Sequence, residues 1–98
     1  MNGPLVLLVD DEDELRRSTA QSLDLSGLKV RDFSSADRAL DFVSPGFNGV
    51  VVTDIRMPGM DGMTLMSRVR DIDDAIPTKI YTGPLHVPLP ITAMREGA

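Results

Sequence analysis

The sequence predicts an α/β fold built on a parallel sheet with helices packed against both faces. Two observations carry this. Short, wholly apolar, β-compatible runs such as Leu5-Val6-Leu7-Leu8-Val9 and Val50-Val51-Val52 lack the alternation of a half-exposed sheet and suit parallel strands buried on both sides. Segments with three- and four-residue apolar spacing separate the strand candidates, giving the order βαβαβαβα and right-handed crossovers.

Taken in order, Leu5 to Val9 is the first strand and ends on Asp10-Asp11. Asp13 is placed to cap a helix from about Glu14 to Ser26, with acids in its first turn and Gly27 as its stop. Leu15, Thr19, Ser22 or Leu23, and Ser26 fall at helical spacing on one face, with Arg16 and Arg17 on another. Leu28 to Phe33 is a second, more polar strand, as at a sheet edge. Ser34 or Ser35 caps a second helix through about Val43, with Ala36, Ala39, Leu40 and Val43 inward, ended by Ser44-Pro45-Gly46.

Gly49 to Asp54 is the third strand, closing on a carboxylate and followed by a Pro-Gly turn. Met63 to Arg70 is the third helix, burying Leu65, Met66 and Val69. Methionines 57, 60, 63 and 66 fit adaptable packing. Ile76-Pro77 leads into a fourth strand, Thr78 to Tyr81, ending at Thr82-Gly83. A last helix is expected from Pro88 to Glu96, with Gly97 as its stop.

Ninety-eight residues with 42% hydrophobic and 26% charged content make a single domain, 1–98. No apolar run approaches the roughly 20 residues of a membrane span, and no leader pattern is present, so a cytoplasmic location is expected. Cysteine is absent, which excludes disulfides and thiolate metal sites. A net charge of −5 and a pI near 4.6 argue against direct nucleic-acid binding. The acidic run Asp10-Asp11-Glu12-Asp13-Glu14 fits either a solvated helix start or a cation site.

The parallel order decides how those acids are read. Asp10 and Asp11 follow the first strand, Asp54 ends the third and Thr82 ends the fourth, so all share one sheet edge, where open α/β folds bind ligands. Clustered carboxylates raise one another's pKa and call for a cation. Oxygen ligands without His or Cys point to Mg²⁺. A carboxylate beside Mg²⁺ is suited to attack phosphorus, since phosphoryl transfer depends on positioning and charge neutralisation.

Val6 to Glu12, Val52 to Gly62, Thr82-Gly83 and Ala93 to Ala98 together closely resemble the receiver domain of bacterial two-component response regulators. The wording around Asp54 is most similar to receivers of nitrogen-regulation and dicarboxylate-transport type transcription activators. The resemblance implies a flavodoxin-like (CheY-like) sheet ordered 2-1-3-4-5. It implies that Asp54 accepts a phosphoryl group from a sensor histidine kinase and that Asp11, Asp54 and the backbone carbonyl of Arg56 bind Mg²⁺. Asp10 then acts through a metal-bound water, and Thr82 moves toward the phosphoryl group. Such a module is no enzyme in its own right and assists only its own phosphorylation and dephosphorylation.

That family continues beyond the equivalent of Ala98 with a fifth strand bearing a lysine and a fifth helix. The expectation is therefore a receiver of order 2-1-3-4 lacking both, either a fragment or a shortened form whose exposed edge is covered by a second copy. Lys29 and Lys79 stand away from the strand-end site and are not substitutes for that lysine. Lys79 instead guards an edge strand, and His86 is read as an exposed loop residue. A receiver-like interaction module that ignores phosphate is the alternative function. A Mg²⁺-dependent phosphohydrolase is disfavoured because Arg56 stands where a general acid is needed.

Overall fold

In the computed structural model, residues 4–81 are described. They form β1 (Leu5–Val9), α1 (Asp13–Leu25), β2 (Lys29–Phe33), α2 (Ala36–Asp41), β3 (Gly49–Asp54), α3 (Gly62–Ile72) and β4 (Thr78–Tyr81). All strand pairs are parallel and the sheet order is β2-β1-β3-β4, as the alternating pattern predicts. The last expected helix and Thr82 lie outside the described residues. Among the described residues, no helix is long and apolar enough to cross a membrane.

β1 and β3 occupy the centre, which is why their sequences are the most apolar: Leu7, Leu8, Val9, Val51 and Val52 are fully buried. Alternation along these strands divides the core in two. Leu7, Val9 and Val51 pack on one face with Ala36, Ala39, Leu65 and Val69 of α2 and α3. Val6, Leu8 and Val52 pack on the other with Leu23 of α1 and with Tyr81. β2 is an edge strand, and its polar sequence follows from that position. Lys79 is exposed on β4, the outermost described strand on the other side.

Three local expectations are corrected. Asp13 is the first helical residue of α1 and makes no cap; Glu12 holds the cap position without a side-chain bond. The Asp13 carboxylate instead accepts from Arg16 Nη1 at 2.8 Å. Arg16 is consequently buried on the inner face, whereas Ser22 is exposed. The guanidinium gains three acceptors there, which offsets its desolvation. Among the methionines, Met57 is buried and Met60 packs against the core, but Met63 is exposed.

The helix ends follow backbone chemistry. At the end of α1, Leu28 N–H donates to Leu23 O at 3.2 Å and Gly27 N–H to Asp24 O at 2.9 Å. This is a Schellman closure, and Gly27 supplies the left-handed φ of 92° that it requires. α2 ends at Asp41, two residues earlier than expected, because Phe42 and Val43 turn tightly onto Ala39 O and Leu40 O. α3 starts one residue early, capped by Asp61, whose side chain accepts from Thr64 N–H at 2.8 Å.

Candidate functional site

In-register parallel pairing fixes the site. Val9 pairs with Thr53, so β1 and β3 end level and deliver Asp10 and Asp54 to the same edge. Asp54 in turn pairs with Tyr81 of β4. Asp10, Asp11 and Asp54 each offer one carboxylate oxygen, and the three oxygens lie within 4.8 Å of one another. Burial grades across the cluster: Asp10 is 1% exposed, Asp54 half-buried and Asp11 exposed. The donor set is all hard oxygen with an open side, and it fits a divalent cation such as Mg²⁺.

Each acid is held differently. Asp10 Oδ1 accepts from Glu12 N–H at 3.0 Å, and Oδ2 accepts from the Tyr81 hydroxyl at 2.6 Å. Asp54 Oδ1 accepts from Ile55 N–H at 2.7 Å. Partial burial raises the Asp54 pKa above the ordinary carboxylate value. Backbone donation from Ile55 opposes that rise, repulsion from Asp10 and Asp11 reinforces it, and Arg56 N–H opposes it. A cation placed among the three would remove the repulsion.

The loop after Asp54 is folded back onto the strand end. Gly62 N–H donates to Ile55 O at 2.9 Å, and a Cβ at Gly62 would collide with the Asp54 carbonyl oxygen. The Asp61-Gly62 pair thus starts α3 while allowing a backbone contact that no other residue permits. Arg56 is exposed in this loop, two residues beyond Asp54. Thr82, the remaining residue expected at the site, lies outside the described residues.

Two contributors were not singled out by the sequence reading. Arg16 Nη1 donates to Asp10 O at 3.0 Å and Nε to Asp32 at 2.8 Å, fastening the end of β1 to α1 and β2. Its spacing of three from Asp13 is the signal that points to it. Tyr81 carries a polar tip at the end of β4, and only the β3–β4 register tells that the tip belongs to the site. An apolar hollow of about 440 Å³ lies at the opposite end of the strands beside Val6, Leu28, Val50 and Lys79, and holds none of these residues.

Residues 6–98 match the response regulator receiver domain model. The chain belongs to this family. It is 41% identical over 96 residues to the C4-dicarboxylate transport transcriptional regulatory protein DctD of Rhizobium meliloti (strain 1021), covering 98% of this chain and 21% of that protein. It is 41% identical over 98 residues to the transcriptional regulatory protein FixJ of the same organism, covering all of this chain and 48% of the relative. The chain thus spans about a fifth to a half of the length of these curated relatives. Among solved structures, the crystal structure of FixJ-N superposes with a TM-score of 0.74 at 40% identity, covering 100% of this chain and 78% of that one. The response regulator StyR gives 0.75 at 34%, covering 98% and 48%. The receiver fold and the kinship to transcription activators both stand on these matches, and the observed strand order is that of CheY-like receivers.

Proposed function

We propose that this receiver is a phosphoacceptor module that takes a phosphoryl group from a sensor histidine kinase onto Asp54. The observation that carries the reading is the convergence of Asp10, Asp11 and Asp54 within 4.8 Å at one sheet edge. Mg²⁺ would be held by Asp11, Asp54 and the Arg56 carbonyl, with Asp10 acting through a metal-bound water, and would supply positive charge against the phosphoryl oxygens. An Asp54 carboxylate oxygen attacks phosphorus while the bond from phosphorus to the donor histidine nitrogen breaks, and that nitrogen leaves with the electron pair. Ile55 N–H, already on Asp54 Oδ1, fixes the nucleophile's orientation. Thr82, next in the chain after the register partner of Asp54, is assigned the hydroxyl that donates to a phosphoryl oxygen.

The module acts in the cytoplasm, turns over only its own phosphate, and governs an output such as transcription. Self-association through the β4 side of the sheet belongs to the same proposal. Incubation with acetyl phosphate and Mg²⁺ is expected to add one phosphoryl group by intact mass spectrometry, and Asp54→Asn to abolish the gain. An unchanged gain in Asp54→Asn rejects the assignment. No gain in the wild type leaves the phosphate-independent interaction module as the better function.

A further inference from the structure

Tyr81 departs from its strand in a direction that matters to the site. It belongs to β4 and pairs with Asp54, yet its ring packs among Val6, Leu8, Leu23 and Val52. Its hydroxyl passes beyond β3 to the end of β1, where it donates to Asp10 Oδ2 at 2.6 Å. Both partners are buried, at 5% and 1% exposure, and the length is that of a charge-assisted O–H···O⁻ bond. Burial, with the adjoining Asp10 carboxylate, pushes the phenol pKa far up, so the group remains a donor. With Oδ1 taken by Glu12 N–H, both Asp10 oxygens are anchored before any cation arrives.

We propose that Tyr81 is a positioning residue: its hydroxyl holds the Asp10 carboxylate in the orientation that faces Asp11 and Asp54, and thereby sets the site's affinity for a divalent cation. The inference rests on reading those three acids as the Mg²⁺ site. Tyr81 touches neither phosphoryl donor nor acceptor oxygen in this scheme. It acts through Asp10, as hydrogen-bond partners behind metal ligands commonly do.

The test is a calorimetric Mg²⁺ titration of the full chain and of Tyr81→Phe, which removes one oxygen and keeps the buried ring. Tyr81→Phe is expected to weaken Mg²⁺ about 10-fold, and to add no further loss in an Asp10→Asn background. Equal or tighter binding by Tyr81→Phe overturns the proposal, as does an undiminished loss in the Asp10→Asn background, which would mark a packing effect. Failure of the wild type to bind Mg²⁺ overturns the metal-site reading itself and is a separate outcome. A second measurement needs no destabilising change. Tyr81 is the only tyrosine in the chain, so biosynthetic 3-fluorotyrosine reports from it alone. Its ¹⁹F resonance is expected to move with Mg²⁺ at the calorimetric midpoint and to stay still in Asp10→Asn; a resonance indifferent to Mg²⁺ in the wild type contradicts the coupling.

Discussion

Arg16 donates from Nη1 to the backbone carbonyl oxygen of Asp10 at 3.0 Å. The same guanidinium reaches Asp32 through Nε and Asp13 through Nη1, both at 2.8 Å. One buried side chain therefore joins the first turn of α1, the C-terminal part of β2 and the end of β1. Its pKa moves up because hydrogen bonds to Asp32 and Asp13 outweigh the larger single effect of desolvation, which acts the other way.

Arg16→Met is expected to lower stability by about 2 kcal/mol, since it leaves Asp32 and a buried carbonyl without their donor. Arg16→Lys recovers little, because a single ammonium cannot span the three acceptors that the planar fork serves. Urea unfolding of the three proteins checks this, and full recovery by lysine would show that charge alone suffices.

Gly62 is the second point of vulnerability. Gly62→Ala puts a methyl against the Asp54 carbonyl oxygen, where backbone, not a flexible side chain, must yield. A loss of about 1–3 kcal/mol is expected, together with impaired labelling of Asp54 by acetyl phosphate. Thermal melting and mass spectrometry on the same sample separate the two effects. Gly59→Ala is the control: it has open space but a φ of 79°, so its cost is conformational and leaves the Asp54 carbonyl untouched.

Much of this architecture was legible because burial on both faces writes itself as unbroken apolar sequence. The bounds of Leu5–Val9 and Gly49–Asp54 follow from that apolar continuity, and the convergence of Asp10, Asp11 and Asp54 follows from parallel strands ending level. What escaped was decided by partners far apart in the chain. Arg16 looks like a solvated residue until Asp32, sixteen positions later, arrives beside it. Tyr81 and Asp10 are seventy-one positions apart, and no local period encodes such a pair. Asp13 was misplaced as a cap because capping propensity is local, while its carboxylate is claimed by Arg16 one turn on.

Cation binding offers a third prediction. A ligand that binds only the folded state stabilises it by mass action, adding about 2.7 kcal/mol at a concentration one hundred times Kd. For a domain of this size, that corresponds to a rise in Tm on the order of 10 °C. Mg²⁺ is expected to produce such a rise, EDTA to reverse it, and Asp11→Asn to remove most of it. Asp11 is exposed, so that substitution leaves the fold itself nearly unchanged. A Mg²⁺-independent Tm in the wild type would refute the cation site.

Without Mg²⁺, Asp54 makes stability depend on pH in a definite direction. Its folded-state pKa lies above the ordinary carboxylate value because burial and the neighbouring Asp10 and Asp11 disfavour the charge. Between the ordinary value, near 4, and the raised folded one, the native state holds more protons at this position than the unfolded chain does. Stability therefore falls as pH rises through that window, and above it the ionised carboxylate is a full burden on the fold. Asp54→Asn removes the charge with little change in shape. The variant is expected to melt higher than the wild type at neutral pH in EDTA, with the difference shrinking as pH drops toward 4 and vanishing below it. Added Mg²⁺ reverses the order at neutral pH, because it stabilises the protein that retains the third carboxylate. Melting curves across pH 3.5 to 7.5 at fixed ionic strength test this. A gap between the two proteins that does not vary with pH would place its origin outside the titration of Asp54.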